Sequence, residues 1–281
     1  MSGDYSREIE RLAAAAASSR DAAQLAMPNA AAFDRFVILH EATSTQDEAR
    51  VRCGGRAGMM VMALSQTAGR GRLGREWKHA AAKGVAATFV VNVGQCDAAS
   101  ASLRAGVAAL DAANVNVPVS MSSETLGIRW PNDVVLRSAT RRKLAGVLVE
   151  RHGELLLIGI GINVLQERGD WPVQLQGSAI SLAMLLAERD EGHAAAGLSI
   201  FAVAEHLVAS LTWALAMAMP MVLDSWQRAN VLRGATQTFE YNNARFTGVV
   251  EEIQPGSEIA LRLVDGTRVL LPAMSTSMVH D

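Results

Sequence analysis

The stretch Gly69-Arg70-Gly71-Arg72-Leu73-Gly74-Arg75-Glu76-Trp77 places three arginines among three glycines and ends in a tryptophan. Glycine lets the backbone adopt positive φ angles and approach a ligand closely. Each guanidinium offers a fork of charged donors that matches phosphate or carboxylate oxygens. The stretch therefore predicts an anion-binding loop, although a solvated charged turn would have the same composition.

The glycines of this loop also fit the G-x-G-x-x-G spacing of dinucleotide-binding sites, which need a helix directly after the glycines. Apolar runs typical of strands flank the loop instead, at 59–64 before it and at 85–93 after it. The sequence therefore predicts a loop between two strands and disfavours a Rossmann-type site.

The composition is that of a globular protein. Half of the 281 residues are hydrophobic, and the formal net charge of -2 gives no general attraction to nucleic acid. The apolar runs are too short to span a membrane, and the N-terminus is too polar for a signal peptide. The two cysteines, Cys53 and Cys96, cannot form a disulfide framework, and we expect both to be buried. These features predict a cytoplasmic protein without a DNA or membrane partner.

Strand and helix patterns alternate along the chain. We predict strands at 36–39, 59–64, 85–93 and 128–136, the last interrupted at Pro131, and a hairpin of 146–150 with 155–164. Helices are expected at 7–17, 100–111, 178–188 and 198–219, with Trp213, Met217 and Met219 in the core. The alternation indicates an α/β or α+β layer with a mixed sheet, and of these we expect the α+β fold, in which helices flank the sheet. From 235 onward, short strands with turns at 242–243 and 265–266 predict a small β-barrel.

Five blocks of sequence together resemble those of the biotin protein ligases, also called biotin–[acetyl-CoA-carboxylase] ligases. The Gly/Arg loop is similar to the signature loop of that family. The other matching blocks, in order, are Ser44-Thr45-Gln46 with Gln66, Arg129-Trp130-Pro131-Asn132-Asp133, Lys143-Leu144-Ala145-Gly146, and Gly159-Ile160-Gly161-Ile162-Asn163. The resemblance covers about residues 37–281. Two departures are Arg129, where the family usually has Lys, and Gly84-Val85-Ala86-Ala87, where it often has Gly-Ala-Asn-Leu.

The resemblance implies a catalytic domain of the biotin/lipoate ligase type followed by an SH3-like β-barrel. We expect a partly helical N-terminal extension at 1–32, the catalytic domain at 33–232 and the SH3-like domain at 233–281. Some family members carry an N-terminal helix-turn-helix and repress transcription. Residues 1–32 are too few for such a domain, so we expect a monofunctional type that does not bind DNA.

The resemblance further implies ATP-dependent ligation of biotin, through biotinyl-5'-AMP, to a lysine of a biotin carboxyl carrier protein domain. Such a reaction needs positioning and charge stabilisation rather than a covalent nucleophile, with Mg²⁺ on the departing phosphates. The candidate catalytic residues are Lys143, Arg72 and Asp133. The implied biotin-binding residues are Ser44, Thr45, Gln66, Gly69, Arg70, Arg72, Lys143, Gly146 and Gly159. The implied nucleotide-binding residues are Arg72, Arg75, Trp77, Arg129, Asn132, Asp133, Lys143 and Asn163, and metal ligands are not assigned.

Three other functions remain open at this point. A lipoate or octanoate ligase would share the fold, but such ligases typically carry another glycine motif in place of the arginine-rich loop. A biotin- or nucleotide-binding module without turnover would not need Lys143, and a repressor would need a DNA-binding domain. A homodimer is also possible on this resemblance.

Overall fold

The computed structural model describes residues 4–26, 33–78, 80–118, 125–189, 191, 197–273 and 275–279. Seven strands form the main sheet: β1 (Arg35–Leu39), β2 (Met59–Ala63), β3 (Gly84–Asn92), β4 (Leu126–Arg129), β5 (Asp133–Leu136), β6 (Lys143–His152) and β7 (Leu155–Asn163). Their order is β1-β2-β3-β7-β6-β5-β4. The first pair is parallel and every other neighbouring pair is antiparallel, which confirms the predicted mixed sheet.

Six helices are described: α1 (Ser6–Ala26), α2 (Thr45–Arg52), α3 (Ala98–Val115), α4 (Leu182–Ala187), α5 (Ile200–Ala216) and α6 (Met219–Ala229). Helices α1 and α3 pack against α5, and α3 also packs against β6 and β7. Helix α2 contacts β2, β3 and β7. It begins after Ser44, whose hydroxyl accepts a hydrogen bond from the Gln46 N–H and so caps the helix N-terminus.

The two faces of the main sheet are covered by different helices. Successive side chains of a strand point to opposite faces. On β7, Leu156 and Ile158 join the large core with α3 and α5, whereas Leu155 and Leu157 join a smaller cluster with α2. Further along the α2 face, β7 carries glycine instead of leucine, at Gly159 and Gly161. The absence of side chains there leaves room above the sheet for a cavity.

A second, five-stranded antiparallel sheet follows the helices. Its strands are β8 (Thr236–Tyr241), β9 (Ala244–Gln254), β10 (Glu258–Leu263), β11 (Arg268–Pro272) and β12 (Ser277–Met278), in the order β11-β10-β9-β8-β12. Asn242 and Asn243 adopt positive φ angles of 50° and 61° in the predicted turn. The separate β unit is confirmed. Among the described residues, however, no pairing of β11 with β12 closes the row into the predicted barrel.

Several local predictions are corrected by the structure. Residues 178–181 are extended rather than helical, because the Lys143 N–H donates to Ser178 O at 2.7 Å and the Ile180 N–H donates to Lys143 O at 3.0 Å. The predicted core position of Trp213 is wrong, since 38% of its surface is exposed. Met217 and Met219 are partly buried against the core, and both cysteines are buried as predicted.

The first helix is longer than predicted and packs closely on the domain. Leu12, Ala16 and Ala23 of α1 are buried, and Arg11 forms an ion pair of 2.9 Å with Glu205 of α5. The predicted extension at 1–32 lies partly outside the described residues. Within the described residues, no helix combines the length and the apolar character needed to cross a membrane.

Candidate active site

A cavity of about 640 Å³ lies over the glycine-containing part of the main sheet. This volume suits a small-molecule ligand. In the sheet register, Ala86 and Gly146 flank Gly161, and one step along the strands Leu148 lies opposite Gly159. The Gly/Arg loop and the start of α2 form the walls, and the turn between β5 and β6 and residues of the second sheet also line the cavity.

Three glycines of the sheet, Gly146, Gly159 and Gly161, form the floor of the cavity, and each makes room for a specific side chain. A Cβ atom on Gly161 would lie 2.5 Å from the indole ring of Trp77, and a Cβ on Gly159 would lie 2.6 Å from Gln46 Nε2. A Cβ on Gly146 would lie 2.7 Å from Lys143 Nζ. Since real Cβ atoms do not approach so closely, a larger residue at these positions would displace the side chains.

Lys143 and Arg129 hold the carboxylate of Asp133 between them. Lys143 Nζ lies 2.7 Å from Asp133 Oδ1, and Arg129 Nη2 donates to Asp133 Oδ2 at 3.1 Å. Burial pushes the pKa of Asp133 upward, but the attraction of the two cations and their hydrogen bonds outweigh it, so the pKa lies below its usual value. The carboxylate is therefore charged, and it fixes the position of the Lys143 ammonium.

The Lys143 ammonium also faces the ring of Trp77. Nζ lies 5.6 Å from the ring centroid, within the range of a cation–π contact. The indole Nε1 is buried without a hydrogen-bond partner in the described part of the chain. Trp77 thus lies against Gly161 in the floor of the cavity, beside the ammonium group of Lys143.

The arginine-rich loop is anchored by Arg70. Its Nη1 donates to both oxygens of Asp47, at 2.8 and 2.7 Å, and its Nη2 donates to Glu150 Oε2 at 3.0 Å. The pKa of Arg70 is raised, chiefly by the hydrogen bond to Asp47. The Trp77 N–H donates to Gly69 O at 2.9 Å and closes the loop on itself. The guanidinium of Arg70 is therefore engaged by protein carboxylates, whereas it was predicted to bind a ligand.

Polar groups at the start of α2 are hydrogen-bonded to each other. Gln66 Oε1 accepts from the Thr45 N–H at 2.8 Å, and the Thr88 hydroxyl donates to Thr45 Oγ1 at 2.9 Å. This arrangement orients the Gln66 amide and leaves its Nε2 group to donate into the cavity. Ser44, Thr45 and Gln66 thus form a neutral polar wall.

The remaining wall of the cavity is strongly cationic. Of the described residues that line it, seven are basic and two are acidic: Arg70, Arg72, Arg75, Lys78, Arg129, Arg141 and Lys143 against Glu76 and Asp133. The whole chain has a net charge of -2, so the positive charge is concentrated here. Such a cavity attracts an anionic ligand such as a polyphosphate.

All the predicted site residues except Gly69 and Asn132 line this cavity. The amide of Asn132 donates to Ser102 Oγ and to Val147 O instead, and Gly69 packs against the backbone of Trp77. Asn163 lines the cavity, but its Nδ2 donates to the carbonyls of Lys143 and Ile180 and so supports the strand around Lys143.

Sequence reasoning missed other lining residues. Gln46 and Gly161 stood within recognised blocks, but only the strand register shows that they face the cavity. Arg141 and the second-sheet residues Gln237 and Ser277 carried no sequence signal for this position.

Comparison with known proteins agrees with the fold. Residues 42–165 match the family described as the biotin/lipoate A/B protein ligase family. This segment carries most of the residues that line the cavity, and its match agrees with the resemblance found in the sequence.

Two proteins of similar sequence are named biotin–[acetyl-CoA-carboxylase] ligases. The chain is 35% identical over 128 residues to the biotin–[acetyl-CoA-carboxylase] ligase of Mycobacterium tuberculosis, a match that covers 44% of this chain and 45% of that protein. It is 36% identical over 135 residues to the ligase of the same name from Paracoccus denitrificans, covering 45% of this chain and 53% of that one. The chain therefore spans about half the length of these relatives.

A solved structure shows the same fold. The biotin protein ligase from Aquifex aeolicus in complex with biotin and ATP matches with a TM-score of 0.68 and 21% identity, over 89% of this chain and 100% of that chain.

Proposed function

We propose that this protein uses ATP to attach biotin, through biotinyl-5'-AMP, to a specific lysine of a biotin carboxyl carrier protein domain. The observation that supports this proposal most directly is the position of the Lys143 ammonium. It lies 2.7 Å from Asp133, in a cavity that has one cationic wall and one neutral polar wall. A nucleotide triphosphate suits the first wall, and a cyclic urea suits the second. The family match of residues 42–165 and the names of the relatives support the same reaction.

In the first step, the biotin carboxylate attacks the α-phosphorus of ATP and pyrophosphate leaves. Negative charge grows at the α-phosphate, where preorganised cations lower the barrier. Lys143 is suited to this role because Asp133 fixes its position. Arg72 and Arg75 are exposed, and among the described residues their side chains form no ion pair, so they are available for the adenylate.

In the second step, the amine of the acceptor lysine attacks the activated carbonyl and AMP leaves. No enzyme nucleophile is required for either step. The enzyme's contribution is to align the reactants and to protect the adenylate from water. In this proposal Gln66 Nε2 donates to the ureido oxygen, and the hydrogen bond that Gln66 Oε1 accepts from the Thr45 N–H supports that orientation of the amide.

Mg²⁺ is part of this proposal as the ion that neutralises charge on the departing phosphates. Among the described residues, no group of three His, Cys, Asp or Glu side chains could hold a metal. Both oxygens of Asp133 already face cations. Phosphate oxygens and water would therefore supply most ligands of the ion, as is common for Mg²⁺.

Incubation with ATP, Mg²⁺ and either biotin or lipoate tests the proposal. We expect mass spectrometry to detect biotinyl-AMP, and addition of a carrier domain to yield one labelled lysine. Biotin, but not lipoate, should raise the thermal midpoint, and more strongly with ATP present, because ligands that bind only the folded protein stabilise it. Lipoyl-AMP alone would assign the protein to the lipoate ligases, and ligand binding without pyrophosphate release would indicate a non-catalytic module.

Three further predictions stay open. The domain division at 32/33 and 232/233, a homodimer and a cytoplasmic location each need their own measurement: limited proteolysis, sedimentation and cell fractionation.

A further inference from the structure

The turn between β5 and β6 carries an arginine in an unusual backbone conformation. Arg141 has a φ angle of 43°, in the left-handed region that disfavours residues with a Cβ atom. Its N–H donates to Ser138 O at 3.2 Å and closes the turn. Glycine or asparagine would form this turn at lower cost. The backbone thus gives no reason for an arginine at this position.

Arg141 lines the cavity and is half-buried. Within the described residues, its guanidinium forms no hydrogen bond or ion pair. The two neighbouring arginines differ: Arg142 pairs with both carboxylate oxygens of Glu188, one at 2.7 Å, and Arg137 donates to the carbonyls of Leu126 and Arg228. Neither of them lines the cavity. Among these three arginines, Arg141 is the one that lines the cavity and whose guanidinium has no partner in the described part of the chain.

The surroundings of Arg141 are positively charged. Lys143 is two residues away in the chain, and Arg129 and Arg72 line the same cavity. Asp133 is already shared between Lys143 and Arg129 and does not neutralise a further cation. A partly desolvated cation beside others is unfavourable until an anion with several charges arrives. The polyphosphate of a nucleotide has that charge.

We propose that Arg141 binds the phosphate groups of ATP that depart as pyrophosphate, and so sets the affinity for the nucleotide. The proposal rests on the proposed function, because that function supplies the triphosphate. It assigns the turn at 137–141, which no block of the family resemblance includes, to the nucleotide site.

Arg141→Gly provides the main test, because it removes the cation and also relieves the left-handed backbone. Arg142→Gln is the matched control, since it removes the same charge one residue away and outside the cavity. We expect Arg141→Gly to raise the KM for ATP in adenylate formation by about 10-fold or more, as for a lost charged hydrogen bond. Inhibition by pyrophosphate should weaken in parallel, while biotin affinity and the thermal midpoint should not fall. Arg141→Lys should restore part of the ATP affinity.

Equal KM values for ATP in Arg141→Gly and Arg142→Gln would overturn the inference. A defect limited to transfer from preformed biotinyl-AMP would also overturn it, because Arg141 would then face the acceptor protein. Calorimetric titration with ATP alone keeps the inference separate from the proposed function. If wild-type protein binds ATP but forms no adenylate once biotin is added, the proposed function fails, whereas weaker ATP binding by Arg141→Gly would still support this role.

Discussion

Lys143 Nζ and Asp133 Oδ1 lie 2.7 Å apart, with 33% of the lysine side chain and 17% of the aspartate side chain exposed. Arg129 donates a hydrogen bond to the second carboxylate oxygen of Asp133. One buried carboxylate therefore orients two cations toward the same ligand space. Because both cations depend on it, we expect changes at Asp133 to affect both the proposed activity and folding stability.

The first prediction concerns the ammonium of Lys143. Lys143→Gln should slow adenylate formation by about 10²- to 10³-fold, the loss expected for one preorganised electrostatic group. The fold should persist, because Arg129 still neutralises Asp133. Single-turnover pyrophosphate release and a melting curve measure the two effects.

Lys83→Gln is the matched control for Lys143→Gln, since Lys83 pairs with Asp170 and does not line the cavity. It should adenylate biotin at the wild-type rate. A Lys143→Gln enzyme as fast as this control would show that Lys143 has no part in the chemistry.

The second prediction concerns pH. Because the pKa of Asp133 is lowered in the folded protein, its charged form adds stability above the unfolded pKa of about 4. That contribution is lost as pH falls through the lower, folded pKa. Asp133→Asn should therefore cost about 2 kcal/mol near pH 7, as for hydrogen bonds to charged groups. The difference between wild type and variant should shrink below about pH 4.

Urea unfolding at pH 7, 5 and 3.5 provides the measurement for Asp133→Asn. A difference in unfolding free energy that stays constant over this range would mean that the charge of Asp133 does not stabilise the fold.

The third prediction concerns the anchor of the loop. Asp47→Asn combined with Glu150→Gln removes both carboxylates from Arg70. Amide hydrogen exchange at 69–77 should then speed up in the ligand-free protein, since local opening governs exchange. Biotin with ATP should slow exchange in the wild type as the loop closes over the adenylate.

Glu48→Gln is a suitable control for the loop variant, because Glu48 lies beside Asp47 on α2 but pairs with Arg52. Unchanged exchange in the double variant would show that the loop is held by its own backbone hydrogen bonds. Equal exchange with and without ligand would show that the loop does not close over the adenylate.

The fourth prediction concerns retention of the adenylate. Arg72→Gly should release biotinyl-AMP prematurely, because an exposed cation that would hold it is lost. The expected result is biotin on lysines outside the acceptor site, detected by mass spectrometry of a bystander protein. Arg56→Gly, which changes an arginine outside the cavity, should label only the acceptor. Strict acceptor labelling by Arg72→Gly would argue against a retention role.

Much of the fold follows from short-range patterns. The apolar runs at 59–64 and 85–93 are long and uniform because both faces of the main sheet are covered, so the strands on either side of the Gly/Arg loop were predictable. Ser44 was recognisable as a helix cap from its position before a polar, helix-forming segment. Lys143, Asp133 and Arg72 were predicted as site residues because they stand in blocks of sequence that resemble those of the biotin protein ligases.

Contacts between distant segments decided the rest. The sequence marks Asp133 as an acid near Lys143, but only the pairing of β5 with both β4 and β6 brings the carboxylate between Arg129 and Lys143. Residues 178–181 have a helical pattern, yet they are extended because they hydrogen-bond to Lys143. Arg70, which was predicted to meet a ligand, lines the cavity and is held by Asp47 and Glu150, 23 and 80 residues away in the chain. Local sequence determines backbone preference and side-chain chemistry, whereas the partner of each charge depends on the register of strands that only the folded chain brings together.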